Sequence, residues 1–161
     1  MSTMTGRSTP ATAQDRYGVL MREHLAPGLR SLGLKGSGGT FAIPDDLHWA
    51  LVGFQRSQFS DRTHLRFTLN LTVGSKASWN EARAERSYLH DSPAPNTFYG
   101  SWIWQKRIGG LMPSGEDKWW RLDGSTDLQA LADDVIGAMR DYGLPAMHAR
   151  LASRSSDTPA R

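Results

Sequence analysis

The sequence predicts an α+β fold, an antiparallel β-sheet of four to five strands packed against an N-terminal and a C-terminal helix. Residues 63–73 alternate, with Leu65, Phe67, Leu69, Leu71 and Val73 pointing one way and His64, Arg66, Thr68, Asn70 and Thr72 the other. That is a strand with one buried face. Apolar stripes at helical spacing stand near both ends of the chain, and the strand-like runs between them are joined by short loops, which favours antiparallel pairing with the helices on one face.

In chain order, residues 14–34 place Tyr17, Leu20, Met21, Leu25, Leu29 and Leu32 at spacings near three and four, the stripe of an amphipathic helix. Pro27 bends or interrupts it, and Gly33, Gly36, Gly38 and Gly39 end it in a mobile turn. Residues 40–43 form a short strand, and Pro44-Asp45-Asp46 turns the chain into a second strand over 47–55. If that strand pairs with 63–73 through the loop 56–62, the simplest register sets Gly53 across from Leu65, Leu51 from Phe67 and Trp49 from Leu69, so that the apolar faces coincide. Residues 76–88 are charged and read as a short exposed helix carrying Trp79, and 90–96, with Pro93 and Pro95, as a loop. A third strand is expected over 98–108, with Phe98, Trp102 and Trp104 on one face and Tyr99, Ile103 and Arg107 on the other. Gly109-Gly110 relaxes it, Pro113-Ser114-Gly115 makes a turn, and 118–122 add a short edge strand. The last helix opens on a capping-box pattern, Thr126 with Gln129, carries the stripe Leu128, Leu131, Ala132, Val135, Ile136 and Met139, and stops at Gly143 and Pro145.

At 161 residues the chain is the size of one domain, assigned to 14–148. Residues 1–13 and 149–161 are rich in Ser, Thr and Ala, and the second stretch is basic; both are predicted to be disordered tails. The formal charge of +3 suggests nucleic acid until it is located. Between residues 14 and 148 stand 15 Lys or Arg and 15 Asp or Glu, so the excess sits in the tails. Binding driven by phosphate neutralisation needs cations gathered on one surface, and a neutral body argues against it. With no Cys, disulfides, thiolate metal sites and Cys nucleophiles are excluded. The first ten residues lack the apolar run of a signal peptide and no segment approaches the roughly 20 apolar residues of a membrane span, so the expected location is cytoplasmic, with no membrane partner.

Taken together, the helix closing in Leu32-Gly33-Leu34, Thr40-Phe41, the strand ending Phe54-Gln55-Arg56-Ser57, the run 66–71, Arg107-Ile108-Gly109, Asp117-Lys118-Trp119-Trp120 and Tyr142-Gly143-Leu144-Pro145 resemble the bacterial family of domain of unknown function 4304 over roughly residues 17–147. The resemblance supports the boundaries and the fold class. It implies no catalytic residue, because the family has no established reaction. Small α+β proteins of this sort are similar to members of bacterial conflict systems that act as antitoxin-like binders, an analogy of fold.

The candidate binding residues are Gln55, Arg66, Asn70, Arg107, Trp119 and Trp120. Arg66 and Asn70 project from the strand face opposite Phe67 and Leu69, where they line a cleft or form the solvated face of the sheet. Arg107 beside flexible Gly109-Gly110 offers a planar five-donor group suited to carboxylate or phosphate, and an ion pair to Asp117 or Asp123 explains it equally. Trp119 and Trp120 leave an extended chain on opposite sides, so one fills the core and the other is an anchor candidate. The five His include no pair at helical ligand spacing, which points to no metal site. Glu81 and Glu85 sit among Arg83 and Arg86 as a solvated charged face. No nucleophile elbow, phosphate loop or dinucleotide fingerprint occurs; Gly36-Ser37-Gly38-Gly39 precedes a strand rather than a helix. No catalytic residue and no cofactor are predicted. The reading that follows is a small cytoplasmic bacterial domain, more a protein-binding module than an enzyme, with an immunity or defence role by analogy; the alternative is an enzyme or nucleic-acid-processing factor whose cleft uses Gln55, Arg66, Asn70 and Arg107.

Overall fold

The computed structural model describes residues 11–155; the tail assignments at 1–10 and 156–161 lie outside the described residues. The first helix, α1 (Ala13–Val19), is closed by a capping box in which the Thr12 hydroxyl accepts from the Asp15 N–H and the Asp15 carboxylate accepts from the Thr12 N–H. It runs through a π turn (Leu20–Leu25) into α2 (Ala26–Ser31) without a break at Pro27. The wide turn comes immediately before the proline, whose missing N–H needs no acceptor at the first turn of the next α segment.

Six antiparallel strands follow, one more than expected: β1 (Lys35–Ser37), β2 (Thr40–Ala42), β3 (His48–Arg56), β4 (Leu65–Ser75), β5 (Trp104–Arg107) and β6 (Trp120–Leu122). Strand β4 is the spine. It pairs with β3 along one edge and with both β6 and β5, at successive positions, along the other. Sequence reading missed β1, which forms a hairpin with β2 through Gly38-Gly39.

The register of β3 against β4 differs from the expected one. Gly53 lies across from Asn70, Leu51 from Thr72 and Trp49 from Gly74, a shift of odd length that turns β3 over. Ala50, Val52 and Phe54 therefore face the helices with Leu65, Phe67, Leu69, Leu71 and Val73. The alternation of β4 was unambiguous, whereas β3 is apolar on both faces because both are covered, so its pattern left the parity open.

Between β4 and β5 lies α3 (Lys76–Glu85), capped by Ser75. It is not the exposed helix expected: Trp79 is 1% exposed and donates its Nε1–H to the His90 carbonyl at 2.9 Å. Trp79, Leu89 and Ile103 form a second, smaller core with Tyr99 and Trp102 on the outer face of the sheet. The strand expected over 98–108 is correspondingly only β5, and residues 98–103 are irregular because Tyr99 and Trp102 fold onto Trp79.

The C-terminal helix α4 (Leu128–Ala138) is capped by Asp127, which accepts from the Ala130 N–H at 3.1 Å; Thr126, expected as the cap, instead bonds back to Asp123. Nor do Gly143 and Pro145 stop it. A π turn (Met139–Gly143) again precedes the proline, and α5 (Leu144–Ser155) continues through residues 149–155 of the stretch read as a tail. The two helical segments pack together over the inner face of the sheet, where Leu20, Leu25, Leu29, Val135, Met139 and Met147 close the main core over Phe67, Leu69 and Leu71. Trp120 belongs to this core, stacked on Phe67 at 5.7 Å between centroids with its Nε1–H on the Asp134 carboxylate at 2.7 Å.

Candidate functional site

Most of the inner face of the sheet is covered by the helices, and the far end of the outer face is sealed by the Trp79 cluster. The middle of the outer face stays open as a cleft of about 360 Å³, lined by Gln55, Asn70, Gln105 and Arg107 from the strands and by residues 95–98 from the loop that crosses them. Gly53 makes the crossing possible. A Cβ there would stand 2.5 Å from the Asn96 Oδ1 and 2.7 Å from the Pro95 Cγ, so only glycine lets the loop lie flat on β3.

Asn70 is the hub. Its Nδ2 donates to the Gln55 Oε1 at 2.7 Å and to the Asn96 Oδ1 at 2.9 Å, and its Oδ1 accepts from the Arg107 Nε at 3.3 Å. Asn96 in turn donates to the Phe54 carbonyl at 3.1 Å, and Gln105 holds the loop's other end by donating to the Thr97 carbonyl and accepting from the Tyr99 N–H. The carboxamides are thus oriented by one another on a rigid sheet, the arrangement that keeps a polar site preorganised.

At the lip, the Asp117 carboxylate accepts from both the Arg107 Nη1 and the Trp119 Nε1, each at 2.9 Å. The Arg107 guanidinium lies over the Trp119 ring at 5.3 Å. Phe98, which also lines the cleft, is 81% exposed.

The structure therefore brings together Gln55, Asn70, Arg107 and Trp119, and the observed register is what carries Gln55 to the face of Asn70. Arg107 pairs with Asp117, one of the two acids the sequence suggested. Arg66 stands further along the same face, directly across from Arg121, and borders a different depression with Phe59, Ser60 and His64. Trp120 is 3% exposed and contributes nothing to the surface. Sequence reasoning missed Asn96, Phe98 and Gln105; the loop reading of 90–96 says nothing of where its side chains land, and the strand expected over 98–108 misaligned the other two.

Among the described residues no group of three or more His, Asp or Glu is placed to hold a metal ion, and no helix is long and apolar enough to cross a membrane. A family model described as a domain of unknown function (DUF4304) matches residues 25–149. No curated protein and no solved structure matches the chain.

Proposed function

The chain belongs to the family of domain of unknown function DUF4304, and from the geometry of its outer face we propose that it is a binding module that takes a segment of a partner protein into the cleft. The observation that carries this reading is the pairing of Arg107 and Trp119 on one carboxylate beside the exposed Phe98. Arg, Trp and Phe are enriched in protein interfaces, and a guanidinium already stacked on an indole loses little freedom when a partner covers it. Asn70 and Asn96 hold the Gln55 carboxamide in place, and its Nε2, which bonds to no described residue, supplies a donor for the partner's backbone; Trp120 takes no part. A bacterial setting, from the family resemblance, and a cytoplasmic one, from the sequence reading, belong to the same proposal, as does a role in immunity or defence by analogy of fold alone.

The test is affinity capture from the source cells followed by titration of the purified partner against the wild type, Arg107→Ala, Trp119→Ala and Phe98→Ala. One stoichiometric protein whose affinity falls by roughly tenfold or more in each variant, about 1.4 kcal/mol, is the expected result. Unchanged affinity in all three removes the cleft as the binding surface.

One observation favours a second reading, a nucleic-acid-processing factor. Arg66 and Arg121 oppose each other across β4 and β6 and form no ion pair among the described residues, two positions along β4 from the level of Trp119. Like charges placed opposite each other repel, and an oxyanion between them would relieve the repulsion. Titration with RNA and DNA across salt separates the readings: a steep loss of affinity with salt, abolished by Arg66→Gln and Arg121→Gln, supports the second.

A further inference from the structure

A larger cleft lies on the helical side of the molecule and shares no residue with the outer-face cleft. Its volume is about 680 Å³, within the range of sites that enclose a small organic molecule. The floor is apolar: Tyr17, Met21, Ala26 and Phe54. One wall is the first helix, the other is the β1–β2 hairpin, whose tip, Ser37 to Gly39, is clasped to the helix by Arg30 through its Nε and Nη2 bonds to the Gly36 carbonyl at 3.2 and 2.9 Å.

Three arginines reach this cleft, Arg22 and Arg30 from the first helical segment and Arg56 from β3, against one carboxylate, Asp15. Asp15 is turned to the helix cap, and its bonds from Thr12 hold its carboxyl below the usual range. Arg30 is engaged with the hairpin. Arg22 and Arg56 form no ion pair or side-chain hydrogen bond among the described residues, and Arg56 lies over the Tyr17 ring at 5.8 Å. The Tyr17 hydroxyl also bonds to no described residue, although burial pushes its pKa up to about 12, so it is a protonated donor at neutral pH. The hydroxyl is not itself a buried atom, so it is open to the cleft and to a ligand's oxygen.

We infer that this cleft binds a small amphipathic organic anion, its apolar body on Tyr17, Met21 and Phe54 and its carboxylate or phosphate head held by Arg22, Arg56 and the Tyr17 hydroxyl. Planar guanidinium groups bind either head through paired N–H donors, and an apolar floor distinguishes such a ligand from a free inorganic ion.

A matched pair of probes tests this on the full chain. 1-Anilinonaphthalene-8-sulfonate and N-phenyl-1-naphthylamine share one body and differ by the anionic group. The expected result is a single site for the sulfonate, with amide chemical-shift changes confined to Gly18, residues 37–39 and residues 54–56, and affinity roughly tenfold or more above the neutral probe. The exposed double substitution Arg22→Gln, Arg56→Gln should erase that preference, and Tyr17→Phe should reduce it. Displacement by dodecanoate identifies a carboxylate ligand and displacement by adenosine monophosphate a phosphate ligand. Equal affinity for the two probes, shifts elsewhere, or displacement by neither anion overturns the proposal. None of these readouts depends on the outer face.

Discussion

Gly53→Ala tests how the outer-face cleft is built. The added Cβ has ordinary backbone geometry available to it, since Gly53 is not among the glycines with positive φ, so any cost comes from what it meets. It meets Asn96 at 2.5 Å and Pro95 at 2.7 and 2.9 Å, closer than real Cβ contacts fall, and the loop must lift. Lifting it breaks the Asn70–Asn96 bond and the Asn96–Phe54 bond, a net of about 1 kcal/mol each. Residual overpacking against Pro95 adds about 1–3 kcal/mol, and the reduced freedom of the unfolded chain returns about 0.4–1 kcal/mol. The expected net destabilisation is about 2–4 kcal/mol, or a fall in Tm of roughly 5–15 °C. Gly110→Ala is the internal control: nothing stands within 4 Å of its added Cβ, so it should be neutral or slightly stabilising. Urea unfolding followed by circular dichroism, with equal m values, measures both. In a background with Asn96→Ala and Pro95→Gly, which removes the Asn96 Oδ1 and both the Cγ and the Cβ of Pro95, most of the Gly53→Ala cost should vanish. A Gly53→Ala protein as stable as Gly110→Ala would refute the account of the crossing loop.

Trp79→Ala should cost about 3–5 kcal/mol and abolish the near-ultraviolet signal of the Trp79, Tyr99 and Trp102 cluster while the far-ultraviolet spectrum persists; thermal unfolding and both spectra check it. Arg107→Ala should change stability by less than about 1 kcal/mol, because its ion pair with Asp117 is half exposed, so a loss of partner binding in that variant is read as a loss of contact rather than of fold. The raised pKa of Tyr17 gives the alkaline side of the stability profile a sign: the folded state keeps the proton longer than the unfolded state, so its contribution is complete below about pH 10 and is lost as pH rises toward about 12. Tyr17→Phe should flatten that limb in unfolding experiments, and the phenolate absorbance of the wild type should show one late-titrating tyrosine.

Strand β4 could be read residue by residue because its outward positions are polar, even at Thr68 and Thr72 where they are buried, and its inward positions are apolar. Strand β3 could not. Gly53 is covered from outside by the loop at residues 95–96 and Trp49 packs against the Trp79 cluster, and nothing local in β3 announces that cover, so its register came from the tertiary packing. The same cover explains the fate of residues 98–103, whose aromatic alternation reads as a strand but serves a cluster on a helix. Of the site, Gln55, Asn70 and Arg107 were legible as polar groups on rigid strands, and Asp117 as a nearby acid. Asn96 was not, since a loop residue shows its target only after the loop has folded.

The two π turns have a consequence for helix phase. Tyr17, Met21, Leu25 and Leu29 recur every four residues, as do Val135, Met139, Gly143, Met147 and Leu151. In a regular α-helix each such step overshoots one turn by about 40°, and four of them would carry the last residue nearly to the opposite side. A π turn winds one extra residue into a single turn and rotates the stripe back. The strict four-residue repeat, with a proline two residues past each π turn, is thus the spelling of a helix that keeps its apolar stripe on the sheet by changing pitch once, and deleting a single residue from either turn would swing every apolar side chain beyond it away from β4.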